Sequence, residues 1–519
     1  MDWRELIIDF NGLVTELVQR RSRYKVADSL SRDKKTVNGW LQGALPSDPR
    51  DVAWVVRLAL LNGIELSPFQ SFAPIYDFST MLSYEELTQK GPPDLSWLTS
   101  AQRPPALKTN FCGLELDCPL GVASSPLLAD DRWAESMLNL GFGLSTFKTK
   151  RGGYKQAWLA PHIAFVAEQP DLMNYAGDDP PEVVVTFSRR EVQDSIPNLV
   201  NSIGAPSEPP AVWQEMYERI KRHHRGQFVG ISVTGDGDSR RELTKDIELA
   251  VEKAKEAVPP FVELNLSCPN LERGSDVYGD PSLARQICSK ARKVLDGTGT
   301  LLIVKLPGLP PAKMHDLLKE VGRYIDAVAF RNTVRVRPVT RDRDGRLQPA
   351  FVGRQFAGLS GPCTFKITRG GLHDLTQLRT KLGLEFGIVA VGGVATHGHV
   401  VELLDAGADV VQACTAPMFD PLLAWKVRFH IKQFRHQIPE EKALPFLQPR
   451  DQAEIDSFRD AMEAYAEIQR RFPERAIPSD VFRERWNAWM EQRPSAPVGK
   501  AHRLSSRRTF AQWIRDFTS

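Results

Sequence analysis

Between residues 110 and 430, short apolar runs alternate with longer stretches of amphipathic, helix-forming character. The runs are PLGVASS (119–125), GLSTFK (143–148), FVGISVTG (228–235), FVELNLSC (261–268), LLIVKLP (301–307), DAVAFRNT (326–333), FGIVAVGG (386–393) and DVVQACTA (409–416). Near-continuous apolar runs mark strands buried on both faces, and their alternation with helices marks parallel α/β architecture. Eight such units predict a (β/α)8 TIM barrel, whose active site lies at the C-terminal ends of the strands. The runs end in polar or glycine residues: Ser124–Ser125, Lys148, Cys268, Lys305, Asn332, Gly392–Gly393 and Cys414–Thr415. One or two such endings could be chance; a full set points to a site.

The flanks follow a different pattern. Residues 1–75 form an all-α N-terminal domain, and VADSLSRDKKTVNGWLQG (26–43) spaces Val26, Leu30, Val37 and Trp40 for two short helices around a tight turn. That stretch resembles the helix-turn-helix of phage-repressor-like regulators, with 46–64 as the helix that follows. The resemblance implies that Asp33, Lys34, Lys35 and Asn38 would face a DNA groove. Residues 1–45 hold eight basic and six acidic residues, a weak footprint for phosphate. A DNA partner and a docking or dimerisation role for residues 1–75 both stay open. Residues 76–109, which include GPPDLSWLTSAQRPPALK (91–108), read as a proline-rich linker to the barrel of 110–430. Residues 431–519 read as a helical C-terminal extension, with one-sided apolar spacing in 455–472 and basic and aromatic residues mixed in 499–517.

The bulk composition narrows the class. The 519 residues exceed what one core organises, so more than one folded unit is expected. A net charge of +3 excludes a molecule that binds nucleic acid by its overall field. Six cysteines, at 112, 118, 268, 288, 363 and 414, form no CxxC pair and suggest a reducing, cytoplasmic setting. No membrane span and no signal peptide are expected.

Two pieces of chemistry stand out at the strand ends. Glycine pairs before a helix present backbone N–H groups to an anion, and VGGVATHGH (391–399) with QACTAP (412–417) stands where barrels commonly hold a cofactor phosphate. Lys305 closes the apolar run LLIVK, where a cation needs a partner. A flavin offers one, because negative charge gathers at its N1–C2=O edge on reduction. Lys148 stands at the same level on the second run. Together these features favour FMN.

The segments ELNLSCPN (263–270), VKLPG (304–308), RNT (331–333), GLSGP (358–362) and AVGGV (390–394) resemble the motif set of the dihydroorotate dehydrogenases, most closely the soluble class 1 branch, and also the related dihydropyrimidine dehydrogenase barrel. The similarity covers about 110–430. It implies that Cys268 is the base that removes the C5 proton of a dihydropyrimidine while hydride from C6 passes to flavin N5. It further implies pyrimidine contacts from Lys148, Asn201, Asn265, Asn270, Asn332 and Thr333, the asparagines matching an edge of alternating donors and acceptors. Cofactor contacts are implied for Ala123, Ser124, Lys148, Asn265, Lys305, Ser360, Gly361, Gly392, Gly393, Cys414 and Thr415. A homodimer is implied as well.

The match has gaps. LERGSDVYGDP (271–281) is closer to the dihydropyrimidine dehydrogenase loop, although Asn270 favours dihydroorotate. Arg331, Arg335 and Arg337 add charge that either binds a larger anionic substrate or pairs with surface acids. No cysteine cluster suits an iron–sulfur centre, so reoxidation needs a diffusible acceptor or a partner chain. The leading expectation is an FMN-dependent oxidation of dihydroorotate to orotate. The alternatives are a flavin oxidoreductase for another dihydropyrimidine, and a DNA-binding regulator with a pyrimidine- or redox-sensing barrel.

Overall fold

A computed structural model describes residues 1–99, 106–172, 180–221, 226–267 and 277–436. The eight predicted strands are present as Leu120–Val122, Leu144–Lys150, Phe228–Val233, Phe261–Asn265, Leu301–Leu306, Ala327–Phe330, Gly387–Val391 and Val410–Ala413. They form one parallel sheet in the order first, eighth, seventh, sixth, fifth, fourth, third, second. The sheet closes between the first and second strands, where the Gly143 N–H donates to Leu120 O at 2.7 Å and the Val122 N–H to Ser145 Oγ at 3.1 Å. Glycine makes that seam possible: a Cβ on Gly121 would sit 1.5 Å from Leu144 O.

A helix follows each strand: Asp131–Asn139, Pro210–Lys221, Arg240–Glu256, Pro281–Leu295, Pro311–Val321, Phe365–Lys381, His397–Asp405 and Leu423–His436. Their starts are capped by the residues at hand. Ser239 and Glu242 form a reciprocal capping box, and Asp130, Asp280 and Thr396 cap three others. Inside the barrel, Ala123, Leu144, Phe261, Ile303, Ala329, Val389 and Val410 form a dry core. A hairpin of Thr109–Phe111 and Leu114–Leu116 adds Phe111 and Leu116 to that core.

Two insertions build a second sheet that the sequence reading did not anticipate. Ile163–Val166, Glu182–Thr186 and Leu199–Asn201 come from the loop after the second barrel strand. Val334–Arg341, Leu347–Pro349 and Ala357–Ser360 come from the loop after the sixth. Val334–Arg341 pairs with both Ala357–Ser360 and Glu182–Thr186, so five of the strands close on themselves. Their core holds Val166, Val183, Val185, Val200, Val334, Val336, Phe351 and Leu359. VRVRPV (334–339) alternates, with Val334, Val336 and Pro338 buried and Arg335 and Arg337 between them.

At the N-terminus the helices are Trp3–Leu6, Phe10–Arg21, Arg23–Ser29, Lys34–Leu41 and Pro49–Leu61. Phe10 meets Trp3 and Trp40 edge-on at 5.8 and 5.5 Å over buried Leu13, Val37, Val52 and Val56. Residues 76–99 carry two helices of their own, Tyr84–Lys90 and Ser96–Thr99. The chain just before them lies on the segment after the eighth barrel strand. The Ile75 N–H donates to Met418 O at 2.7 Å, and Phe78 stacks on Phe419 at 5.4 Å. Beside them a buried polar knot forms: Lys426 Nζ donates to Asp420 Oδ2 (2.7 Å) and Gln70 Oε1 (2.8 Å), and Gln70 Nε2 to Asp420 Oδ1 (2.9 Å). All three residues are under 9% exposed, so the two buried charges, Lys426 and Asp420, depend on each other and on the Gln70 amide. The expected helices in 455–472 and 499–517 lie outside the described residues.

Lys426→Met would leave the Asp420 carboxylate buried without its cation. Its unfolding free energy in urea should drop by about 3–5 kcal/mol; a loss below about 1 kcal/mol would mean that the knot does not hold the N-terminal segment in place.

Candidate active site

The strand ends converge on an open cavity with about 720 Å³ of empty space, its mouth included. Ser124, Lys148, Asn265, Lys305, Asn332, Thr333, Cys414 and Thr415 reach it from the barrel. Asn201 and Ser360 reach it from the second sheet, as do Ile163 and Leu199. The second sheet therefore walls the mouth that the barrel opens.

Asparagine chemistry organises one side. Asn332 Nδ2 faces Asn265 Oδ1 (3.0 Å), Ser267 O (2.8 Å) and Ser267 Oγ (3.1 Å), and Asn332 Oδ1 accepts from the Thr333 N–H (2.9 Å). Ser267 Oγ donates to Lys305 O at 3.3 Å. The ends of the fourth, fifth and sixth strands are thus cross-linked immediately before residue 268. Asn201 Nδ2 donates to Gly358 O (2.9 Å), which ties the two insertions together at the rim.

Hydroxyls organise the other side. The Thr149 N–H donates to Ser124 Oγ (2.9 Å), Ser124 Oγ lies 3.1 Å from Thr149 Oγ1, and that hydroxyl lies 3.1 Å from Ser232 Oγ. Ser360 Oγ and Thr415 Oγ1 are 3.1 Å apart. Burial pushes the Cys414 thiol above its ordinary value, opposed by Ser125 and by the charges of Lys305 and Lys148, so it sits there as a neutral thiol. Lys305 is buried, and its Nζ lies 3.9 Å from Glu263 Oε1, also buried.

Other expected residues fall elsewhere. Ala123 belongs to the barrel core below the mouth. Gly361 takes φ of 112° beside Asn198. Gly392 and Gly393 do not line the cavity. They adopt φ of 126° and 74°, and a Cβ on them would meet Thr368 Oγ1 at 2.6 Å and Phe365 N at 2.2 Å. Cys268 and Asn270 lie outside the described residues. Arg331 is neither a surface residue nor part of the cavity lining: it is 8% exposed and tucked against Gly308, where a Cβ would come 2.6 Å from its guanidinium carbon. Arg335 lies over the Phe356 ring at 4.0 Å.

The sequence reading missed Thr149, Ser232, Ser267, Met418 and Glu263. Ser267 stood inside the ELNLSCPN motif, and Glu263 was an acid in an apolar run, two residues from Asn265 and so on the same strand face. Thr149 and Ser232 carried no comparable signal.

A parallel eight-stranded barrel with two cations and an amide network at its C-terminal mouth defines the class of (β/α)8-barrel enzymes. Comparison with known proteins narrows it. The dihydroorotate dehydrogenase family model matches residues 106–434. A dihydroorotate dehydrogenase of Dictyostelium discoideum is 27% identical over 365 residues, covering 68% of this chain and 96% of that protein. A quinone-type dihydroorotate dehydrogenase of Mesorhizobium japonicum is 27% identical over 325 residues, covering 62% of this chain and 79% of its own. The catalytic subunit of an NAD(+)-type dihydroorotate dehydrogenase B from Petrotoga mobilis is 29% identical over 235 residues, 44% and 71% of the two chains. The crystal structure of ligand-free dihydroorotate dehydrogenase from Eimeria tenella superposes with a TM-score of 0.52 at 20% identity, over 68% of this chain and 93% of that one, a likeness of fold. The chain belongs to the dihydroorotate dehydrogenase family, a family of flavoenzymes.

Gly393→Ala tests the turn after the seventh strand. Its positive φ and the approach to Phe365 N predict a loss of about 2–3 kcal/mol in thermal or urea unfolding, whereas Gly398→Ala, inside helix His397–Asp405 with only Thr396 Oγ1 near at 3.6 Å, should be neutral or stabilise by up to about 1 kcal/mol. Equal effects would contradict a special role for the Gly393 turn.

Proposed function

We propose that this chain oxidises dihydroorotate to orotate with FMN as its resident cofactor. The observation that carries the reading is the convergence of Lys148, Lys305, Asn265, Asn332 and Thr333 on one cavity at the mouth of a barrel of this family.

The residues present suit a flavin. Lys305 is a buried cation on the cavity wall, and among the described residues its ion-pair partner Glu263 is too distant for a hydrogen bond, which leaves its N–H donors for a ligand. Ser360, Thr415 and the backbone of the eighth-strand turn would hold the phosphate end. The flavin supplies the acceptor for the hydride that leaves C6.

The remaining work falls to the protein. Asn265 and Asn332 lock each other, and with Thr333 they present fixed amides and a hydroxyl to the pyrimidine edge, so orientation costs little at the moment of reaction. Lys148 and Asn201 also line the cavity, where a cation and an amide suit the carboxylate. Cys268 follows Ser267, whose backbone and hydroxyl the Asn332 amide fixes. Its sulfur takes the C5 proton as the C5–C6 bond becomes a double bond.

The helical N-terminal module fits a docking role better than one in reading DNA. Three cations around its second short helix are engaged within the module: Arg23 with Asn38 (3.0 Å), Arg32 with Asp51 (2.6 Å) and Lys34 over the Tyr24 ring (4.7 Å).

The competent form of Cys268 is the thiolate, whose fraction grows about tenfold per pH unit below an ordinary thiol pKa of about 8.5. Flavin reduction by dihydroorotate, followed by anaerobic stopped flow, should therefore quicken from pH 6 to pH 8.5. Cys268→Ser should keep the flavin and slow reduction by about 100-fold or more at pH 7. A rate indifferent to that substitution would remove Cys268 from the role of base.

A further inference from the structure

Glu263 is an anomaly in the fourth strand. Its neighbours in FVELN are apolar except Asn265, yet its carboxylate is 1% exposed at the heart of the barrel. Its register partners are Ser232 on the third strand and Ile303 on the fifth. Ser232 Oγ is already engaged with Thr149 Oγ1. Among the described residues, Oε1 of Glu263 accepts no hydrogen bond, and its one ion-pair partner is Lys305, 3.9 Å away.

A buried carboxylate is costly, so an oxygen that among the described residues meets its cation by Coulomb attraction without a hydrogen bond calls for a reason. Geometry supplies one. At 3.9 Å the pair attracts strongly in a dry interior but does not consume the N–H donors of Lys305. Lys305 pairs in register with Asn265, two residues beyond Glu263, so the acid stands one layer below and the ammonium faces the cavity. The pair is a fixed dipole with its positive end at the site.

We propose that Glu263 is a positioning residue: from the layer beneath, it holds the Lys305 ammonium at the cavity wall and moderates the positive charge felt by the bound flavin. The proposal rests on the FMN reading above. The acid would partly offset the cation that would stabilise the negative charge gathered on a reduced flavin, and so would set how readily the ring is reduced. Removing it unmasks Lys305.

The test is the reduction potential of the bound flavin, with sulfite affinity as a second readout, in the full-length protein. Wild type must first show a flavin spectrum; if it binds no FMN, the cofactor reading itself fails. Glu263→Gln should move the potential positive and tighten sulfite binding by about tenfold, while Lys305→Met moves both the other way. Combined with Lys305→Met, Glu263→Gln should still move the potential positive, because the field of its charge adds to that of Lys305. Glu263→Asp, which keeps the charge, should restore wild-type values. An unchanged or negative potential in Glu263→Gln, with or without Lys305, would overturn the proposal. Should Glu263→Gln fail to hold flavin, Glu263→Asp decides: a potential near wild type sustains the proposal, and a shift as large as that of Lys305→Met refutes it.

Discussion

Closure of the barrel is the constraint on which the site depends. The first and second strands meet where any side chain at Gly121 or Gly143 would collide with backbone, at 1.5 Å from Leu144 O and 2.1 Å from Cys118 O. Two glycines therefore let a short sheet turn fully on itself, with no open edge to satisfy. Once closed, the parallel strands point all their C-terminal ends at one mouth. Ser124, Lys148, Asn265, Lys305, Asn332 and Cys414 are far apart in sequence and adjacent in space for that reason alone.

The mouth is held differently from the body. Below it, apolar side chains fill the interior and contribute by burial, which has no direction. At the rim the same strands end in amides, hydroxyls and ammonium groups whose geometry is directional. The Asn332 side chain ties the end of the sixth strand to that of the fourth, Ser267 ties the fourth to the fifth, and the second sheet rises over them with a core of its own. The N-terminal segment adds a third support through Ile75 and the Gln70–Asp420–Lys426 knot, directly after the turn that presents Cys414 and Thr415. A site that exposes polar groups to a ligand needs this backing, since its own groups contribute little to stability.

The barrel was legible in the sequence because fully buried parallel strands read as apolar runs, and eight of them recur with helices between. The second sheet was not. Its strands are short, and its closure depends on Arg337 pairing with Glu182, residues remote in the chain, although VRVRPV already carried the two-residue alternation of a strand. Lys148, Lys305 and Asn332 were found from their place at strand ends and Asn201 and Asn265 from the family resemblance, and the structure brings these five to one cavity. The Gly392–Gly393 turn was read for its backbone N–H groups alone; the structure shows that Thr368 and Phe365 also leave no room for a side chain there. Glu263 was passed over because Cys268, five residues on, dominated the motif.

The central claim is that this cavity holds FMN and passes electrons to it from dihydroorotate. The visible spectrum of the purified protein, recorded anaerobically before and after adding dihydroorotate, tests it most directly. A flavin spectrum that bleaches on addition is the predicted result. A flavin spectrum that stays unchanged, or a protein that takes up no FMN, would contradict it.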